Sequence, residues 1–347
     1  MKKYLITLAV AALLSNNALA NTDLPDKQAE LPAHPKTEKS DHLVPRDFST
    51  IPNTPFGEKV KQGYSLFVNT QTLQGKYVNN QQNCVNCHMQ AGMKADSAPL
   101  WGAFMAYPAY RKKNDKVNTY AERIQGCFTY SMNGTPPPKD SPELVALSAY
   151  SYWLAMGGLL DKYGMQDTPI PELSDAAVQL GGNDETFILP TEMMQDLPAG
   201  KRGKLAGRSF PKLDKPEQVP SINRGEIVYN TTCASCHGAN GEGIRDHGVQ
   251  SFPPLWGKDS FNWGAGMHRV NTAAFFIYEN MPLGKSIQIT KQEAWDVAAF
   301  MNSHERPQDP RFKGDLKANK EKYHNHQGYY GKEVNGPFFK WVKRFKK

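Results

Sequence analysis

Cys84-Val85-Asn86-Cys87-His88 and Cys233-Ala234-Ser235-Cys236-His237 both read C-x-x-C-H, the pattern of covalent c-type haem attachment. Two thiols at that spacing form thioethers to the two vinyl groups of one porphyrin. The histidine that follows then lies under the iron as its proximal ligand. Other uses of paired cysteines fit less well. A redox C-x-x-C has no need of the trailing histidine. A zinc site would join both pairs in one tetrahedron and leave His88 and His237 incidental. The motifs therefore predict two haem c groups, attached through Cys84, Cys87, Cys233 and Cys236 and ligated by His88 and His237. Of the five cysteines, Cys127 is left over.

Outward from these motifs the chain repeats itself over 51–158 and 219–307. Each copy has a short helical stretch, expected over 57–67 and 224–229, and then the C-x-x-C-H. Pro99-Leu100-Trp101-Gly102 and Pro254-Leu255-Trp256-Gly257 follow. Next, Val117-Asn118-Thr119 and Val270-Asn271-Thr272 are each expected to open a helix. A proline-containing loop leads to a final amphipathic helix, expected over 141–156 and 290–303. Thr119 and Thr290 carry the hydroxyl wanted at a helix N-cap. Such repetition implies two copies of one unit. Few helices, long loops and no sheet form the plan of a class I cytochrome c, whose porphyrin supplies part of its own core. The expected fold is all-α, with two class I cytochrome c-like domains over 49–165 and 221–310. A Pro/Gly-rich linker over 166–220, holding seven prolines, joins them and is expected to pack over the surface.

The ends of the chain add an address and a charge. Lys2 and Lys3, the apolar run 4–14 and Ala18-Leu19-Ala20 form a secretory signal over 1–20. It predicts export to the periplasm, and the apolar run is too short to span a bilayer. Residues 21–48 read as a polar, Pro-rich and poorly ordered arm. The formal net charge is +7, and loss of Lys2 and Lys3 with the signal leaves +5. Residues 311–347 carry eleven Lys or Arg against three acids. The rest of the mature chain is slightly acidic and offers no general basic surface for nucleic acid. In the basic tail, Phe338, Trp341, Val342 and Phe345 form one helical stripe. Such an end suits an anionic membrane surface or an acidic partner; packing on its own domain is the plainer alternative.

A haem iron held by one histidine needs a second axial ligand, or it is open to substrate. Methionine raises the potential, and thiolate pushes electron density onto the iron. In the second copy the ligand expected in the loop before the last helix is Met281, with Met267 and Met301 read as core. In the first copy two sulfurs compete. Met132 is 44 residues after His88, as Met281 is 44 after His237. Cys127 is eight residues after Thr119, and Met281 is nine after Thr272. Arg123 lies four residues before Cys127, one turn away on the same helical face. Arg111, Lys112 and Lys113 form a basic cluster upstream, of which Lys112 and Lys113 read as a solvated face. Cations beside a thiolate lower its pKa and can bind an anion through paired hydrogen bonds.

The stretches 83–88, 98–102, 107–111 and 122–134, the last centred on Cys127, resemble the dihaem thiosulfate dehydrogenases. These bacterial periplasmic enzymes interconvert thiosulfate and tetrathionate, and some run mainly as tetrathionate reductases. The resemblance covers about 44–331. It implies a catalytic first haem ligated by His88 and Cys127, and a second haem ligated by His237 and Met281. It implies Arg123 and Arg111 as sulfonate-binding groups. The sulfur of Cys127 is itself chemically able to join the sulfane sulfur of a thiosulfate, as an alternative to purely outer-sphere electron transfer. The electron partner implied is a small cytochrome c or a membrane quinone-linked cytochrome. Two other classes fit the motifs less fully. An electron carrier without chemistry would use Met132 as ligand and bury Cys127. A dihaem peroxidase would keep one iron site open to peroxide.

Overall fold

The structure, a computed structural model, describes residues 42–174, 205–246, 249–285, 287–326 and 328–332. The first unit carries α1 (Pro55–Val68), α2 (Leu100–Phe104), α3 (Tyr120–Tyr130) and α4 (Pro142–Lys162). The second carries α5 (Ile222–Val228), α6 (Val270–Asn280) and α7 (Lys291–Ser303), and α8 (Leu316–Tyr323) follows it. The two helical cytochrome c domains are as expected. The expectation of no sheet is corrected by two short antiparallel ladders. One joins β1 (Ala109–Arg111) to β2 (Lys116–Asn118), and the other joins β3 (Ile244–Asp246) to β4 (Val249–Phe252).

Each domain is framed by its first and last helices, α1 on α4 and α5 on α7, and one device sets both crossings. A methyl group built on Gly63 would lie 2.0 Å from the carbonyl oxygen of Ala146. One built on Gly225 would lie 2.0 Å from that of Asp296. Only a residue without Cβ lets the helices approach so closely. Four residues on, an aromatic side chain seals each crossing: Phe67 against Tyr150, with ring centroids 6.0 Å apart, and Tyr229 against Phe300 at 5.4 Å.

α4 is buried along the whole run 144–160, as a helix apolar on all sides must be. Its Trp153, Tyr150 and Tyr152 are fully enclosed, and each large side chain so buried contributes about 1.5–3 kcal/mol. The last helices start where the sequence places them. Ser141 caps α4 and Thr290 caps α7, and Thr119 caps α3. At both threonines a glutamate three residues on, Glu122 or Glu293, returns to the cap N–H, the reciprocal pairing of a capping box. Val-Asn-Thr behaves differently in the two copies. Val117 and Asn118 lie in β2 and Thr119 caps α3, whereas Val270 already begins α6 with Arg269 as its cap.

The segments outside the domains are partly absorbed by them. Leu43 and Phe48, from the end of the expected arm, are buried in the first core. Arg46 there pairs with Asp161 at 2.8 Å. In the linker, Ile170 is buried against the first domain, and Trp295 of the second donates to the Asp214 carbonyl at 3.1 Å. The start of the basic tail is folded: α8 docks through Asn319 on Tyr330, whose ring meets Trp263. The signal segment, the arm up to residue 41 and the apolar stripe 338–345 lie outside the described residues. No helix of the described residues is long and apolar enough to cross a membrane.

Candidate active site

The proximal histidines are oriented by one repeated contact. His88 Nδ1 donates to the Ala98 carbonyl, and His237 Nδ1 donates to the Pro253 carbonyl at 2.9 Å. Both carbonyls belong to the residue just before Pro-Leu-Trp-Gly. The sequence marks that tetrapeptide as a landmark without showing what it is for. A proton held on Nδ1 leaves the Nε2 lone pair available to a metal. Burial pushes His88 down to about 4, although the hydrogen bond to Ala98 opposes the shift. Burial also lowers His237. Both rings are thus held in the neutral form that ligates iron.

The first cavity is lined by Cys84, Cys87 and His88 and, from α3 and its end, by Arg123, Cys127 and Met132. Cys127 and Met132, the two competing sulfurs, therefore reach the same cavity. They differ in surroundings. Met132 is buried in the apolar core, whereas Cys127 accepts a hydrogen bond from Arg123 Nη1 at 2.8 Å. The interaction with Cys127 is the largest influence on Arg123 and holds that guanidinium above the ordinary value. The helix explains the pairing, because residues four apart share a face.

Arg111 does not line this cavity, but it stands next to it. Its Nη1 would lie 3.9 Å from a methyl group built on Gly126, the neighbour of Cys127. Burial lowers Arg111, and the charge of Arg123 lowers it further. Lys113 corrects the expectation of a solvated face. Its ammonium donates to the Gly264 carbonyl and sits 3.5 Å from the centre of the Tyr130 ring. Burial depresses Lys113 well below the usual amine range, with further lowering from Arg311, Arg123 and Arg111. Lys112 is exposed. Arg311 is thus the member of the cationic cluster that sequence reasoning missed, as it missed the burial of Lys113. Arg311 falls in the tail by sequence and approaches Tyr130 only through the fold, 5.1 Å from the ring centre.

The second cavity, of about 1000 Å³, brings together Cys233, Cys236, His237 and Met281. Met267 and Met301 also line it, so the residues read as core are cavity wall as well. Lys94 enters from the first domain, and its Nζ donates to Asn280 Oδ1 at 2.5 Å. Gln82, Cys87, Phe261 and Met267 line both cavities, so the two share a wall. Hydrogen bonds fix that wall: Asn80 Nδ2 donates to Ser131 and Ser260, Gln82 Nε2 to Pro254, and Asn262 Nδ2 to Thr129.

Each cavity sets a thiol pair and a neutral, oriented imidazole beside a further sulfur donor. That donor set fits a covalently attached haem with two axial ligands. Two such units define a dihaem c-type cytochrome. Residues 222–305 match the family described as cytochrome c, and residues 71–157 match the one described as SoxA/TsdA, cytochrome c domain. The chain is 44% identical over 340 residues to a thiosulfate dehydrogenase of Stutzerimonas stutzeri (strain A1501), covering 97% of each protein. It is 45% identical over 295 residues to a thiosulfate dehydrogenase of Thiomonas intermedia (strain K12), covering 85% of this chain and 81% of that one. A solved thiosulfate dehydrogenase (TsdBA) from Marichromatium purpuratum, in its as-isolated form, aligns with a TM-score of 0.69 and 41% identity. The match covers 84% of this chain and 55% of that one. The chain belongs to the thiosulfate dehydrogenase family.

Proposed function

We propose that the protein interconverts thiosulfate and tetrathionate. Two thiosulfate dianions lose two electrons and join through one S–S bond, with no proton gained or lost. The observation that carries this reading is the 2.8 Å contact of Arg123 with the Cys127 sulfur, in the cavity that also holds His88. The family relatives named thiosulfate dehydrogenase support it. In this reading His88 and Cys127 would hold the iron of the catalytic haem, and His237 and Met281 that of the second. The haem groups, when bound, supply one-electron acceptors, with thiolate enriching one iron in electron density and methionine raising the potential of the other.

The chain's own work is electrostatic. Coupling two dianions requires their repulsion to be cancelled. Arg123 and Arg111, with Arg311 behind them, place guanidinium groups beside Cys127. Such a patch draws anions from solution. Cations already in position stabilise developing contacts without reorganising. The wall of Gln82, Cys87, Phe261 and Met267 keeps the two cavities adjacent. The signal segment 1–20 supports a periplasmic location, where a small cytochrome c or a quinone-linked membrane cytochrome would exchange electrons. The basic tail suits docking to such an acidic partner or to an anionic membrane surface.

The test is an assay of the purified holoprotein in both directions, thiosulfate with an artificial electron acceptor and tetrathionate with an artificial donor. Turnover of at least one substrate is expected. A protein with both haem groups attached that turns over neither is an electron carrier.

A further inference from the structure

We propose that His268, His324 and His326 form a binding site for a divalent zinc-like cation, separate from both haem cavities. The ligating atoms of the three rings lie within 4.8 Å of one another. His268 follows Met267 in the segment that walls both cavities, and His324 and His326 come from the chain just after α8. The site therefore joins the folded start of the basic tail to the wall between the cavities.

The tautomers are set by outer contacts. His268 Nδ1 donates to the Ala265 carbonyl, which leaves a lone pair on Nε2. His324 Nε2 donates to the Asp309 carboxylate at 2.8 Å, which leaves a lone pair on Nδ1. These two lone pairs face each other at 3.2 Å. His326 Nε2 lies 3.2 Å from the same His268 Nε2. A proton on His326 Nε2 serves one of these contacts and leaves His324 and His268 with acceptor against acceptor. One ion at the centre meets all three lone pairs.

The spacing suits it. Two nitrogens bound at 2.0–2.1 Å and a tetrahedral angle stand about 3.3–3.4 Å apart. Histidine ligands held by a carboxylate and a backbone carbonyl on their other nitrogen are the usual support of such sites. The rings are also fixed by packing. His324 stacks on Tyr330 at 3.8 Å, and His268 meets Trp263 edge-on at 5.9 Å. Imidazole donors suit zinc and its late first-row neighbours rather than calcium or magnesium. Three protein ligands leave a fourth position for water.

The test uses untagged holoprotein stripped of loosely held metal by a chelator. Zinc alone is titrated in competition with a chromogenic chelator, and X-ray absorption at the zinc edge reads the donors. One equivalent per chain is expected, with three nitrogen donors at about 2.0–2.1 Å. His326 is only half-buried, so His326→Ala is expected to leave the metal-free melting temperature and the haem spectrum unchanged. Its zinc affinity is expected to fall at least about 100-fold, beyond the range of an outer-contact change. Asp309→Asn, which weakens the support of His324 and also the ion pair of Asp309 with Arg311 at 2.6 Å, is expected to weaken zinc about 10- to 100-fold. Failure to bind one equivalent, or unchanged affinity in both variants, overturns the proposal.

Discussion

The two haem domains share a frame and differ in where a sulfur stands. In the second, Met281 is the residue that ends α6, just outside the helix. In the first, Met132 stands directly after Ser131, the residue that ends α3, and is thus the positional counterpart of Met281. Cys127 lies further back, inside α3, one turn from Arg123. Thr119 precedes its helix and Thr272 lies within one, so the counts from them start at different points of the two helices. The difference is chemical as well as positional. A thioether carries no charge and cannot pair with a guanidinium. A thiolate can do both, and its place on a helix fixes its distance from Arg123. The first cavity thereby sets a sulfur against a guanidinium, whereas the sulfur of Met281 in the second is an uncharged thioether.

Replacing Cys127 breaks this contrast most directly. Cys127→Gly is expected to reduce turnover to the assay floor while both haem groups stay attached through Cys84, Cys87, Cys233 and Cys236. The thiolate-ligated low-spin signal in electron paramagnetic resonance should vanish with it. Full activity in this variant would return Met132 to the ligand position and make the first domain a copy of the second.

Arg123→Gln tests the charge rather than the sulfur. Loss of a charged hydrogen-bonding partner in a buried site costs about 2–4 kcal/mol, or roughly 30- to 1,000-fold in kcat/KM. The same change at Arg111, beside the cavity rather than on its wall, is expected to cost less. Kinetics of Arg123→Gln within twofold of wild type would reduce Arg123 to a structural residue.

The second domain should respond in its spectrum first. Met281→Gly is expected to remove the sulfur-to-iron charge-transfer band in the far red, with a smaller loss of turnover than Arg123→Gln causes. Loss of the band in Met267→Gly or Met301→Gly instead would move the ligand to a residue that also lines this cavity.

The shared frame predicts effects that match between domains. Gly63→Ala and Gly225→Ala each force a methyl group against a carbonyl 2.0 Å away. Each is expected to cost about 1–3 kcal/mol, seen as a lower melting temperature. Smaller still, Thr119→Ala and Thr290→Ala each lose a cap and a capping box worth about 1 kcal/mol. Unequal losses within either pair would show that the domains do not share one frame.

What the sequence determined by itself was whatever depends on local spacing. Two C-x-x-C-H motifs define two attachment sites, because thioether chemistry reads only five consecutive residues. Thr119 and Thr290 define helix starts through contacts three residues long. The pairing of Arg123 with Cys127 follows from helical geometry alone. Tertiary structure decided what distant segments share. Lys113 reads as solvated because its partners, Gly264 and Arg311, lie far along the chain. The carbonyls of Ala98 and Pro253 carry no side-chain signal, and only the fold brings them to the histidines. Gly63 and Gly225 look like ordinary glycines until another helix backbone arrives. The wall between the cavities and the three-histidine cluster join residues that no local period connects. Burial and convergence belong to the packed chain, and spacing along one segment cannot express them.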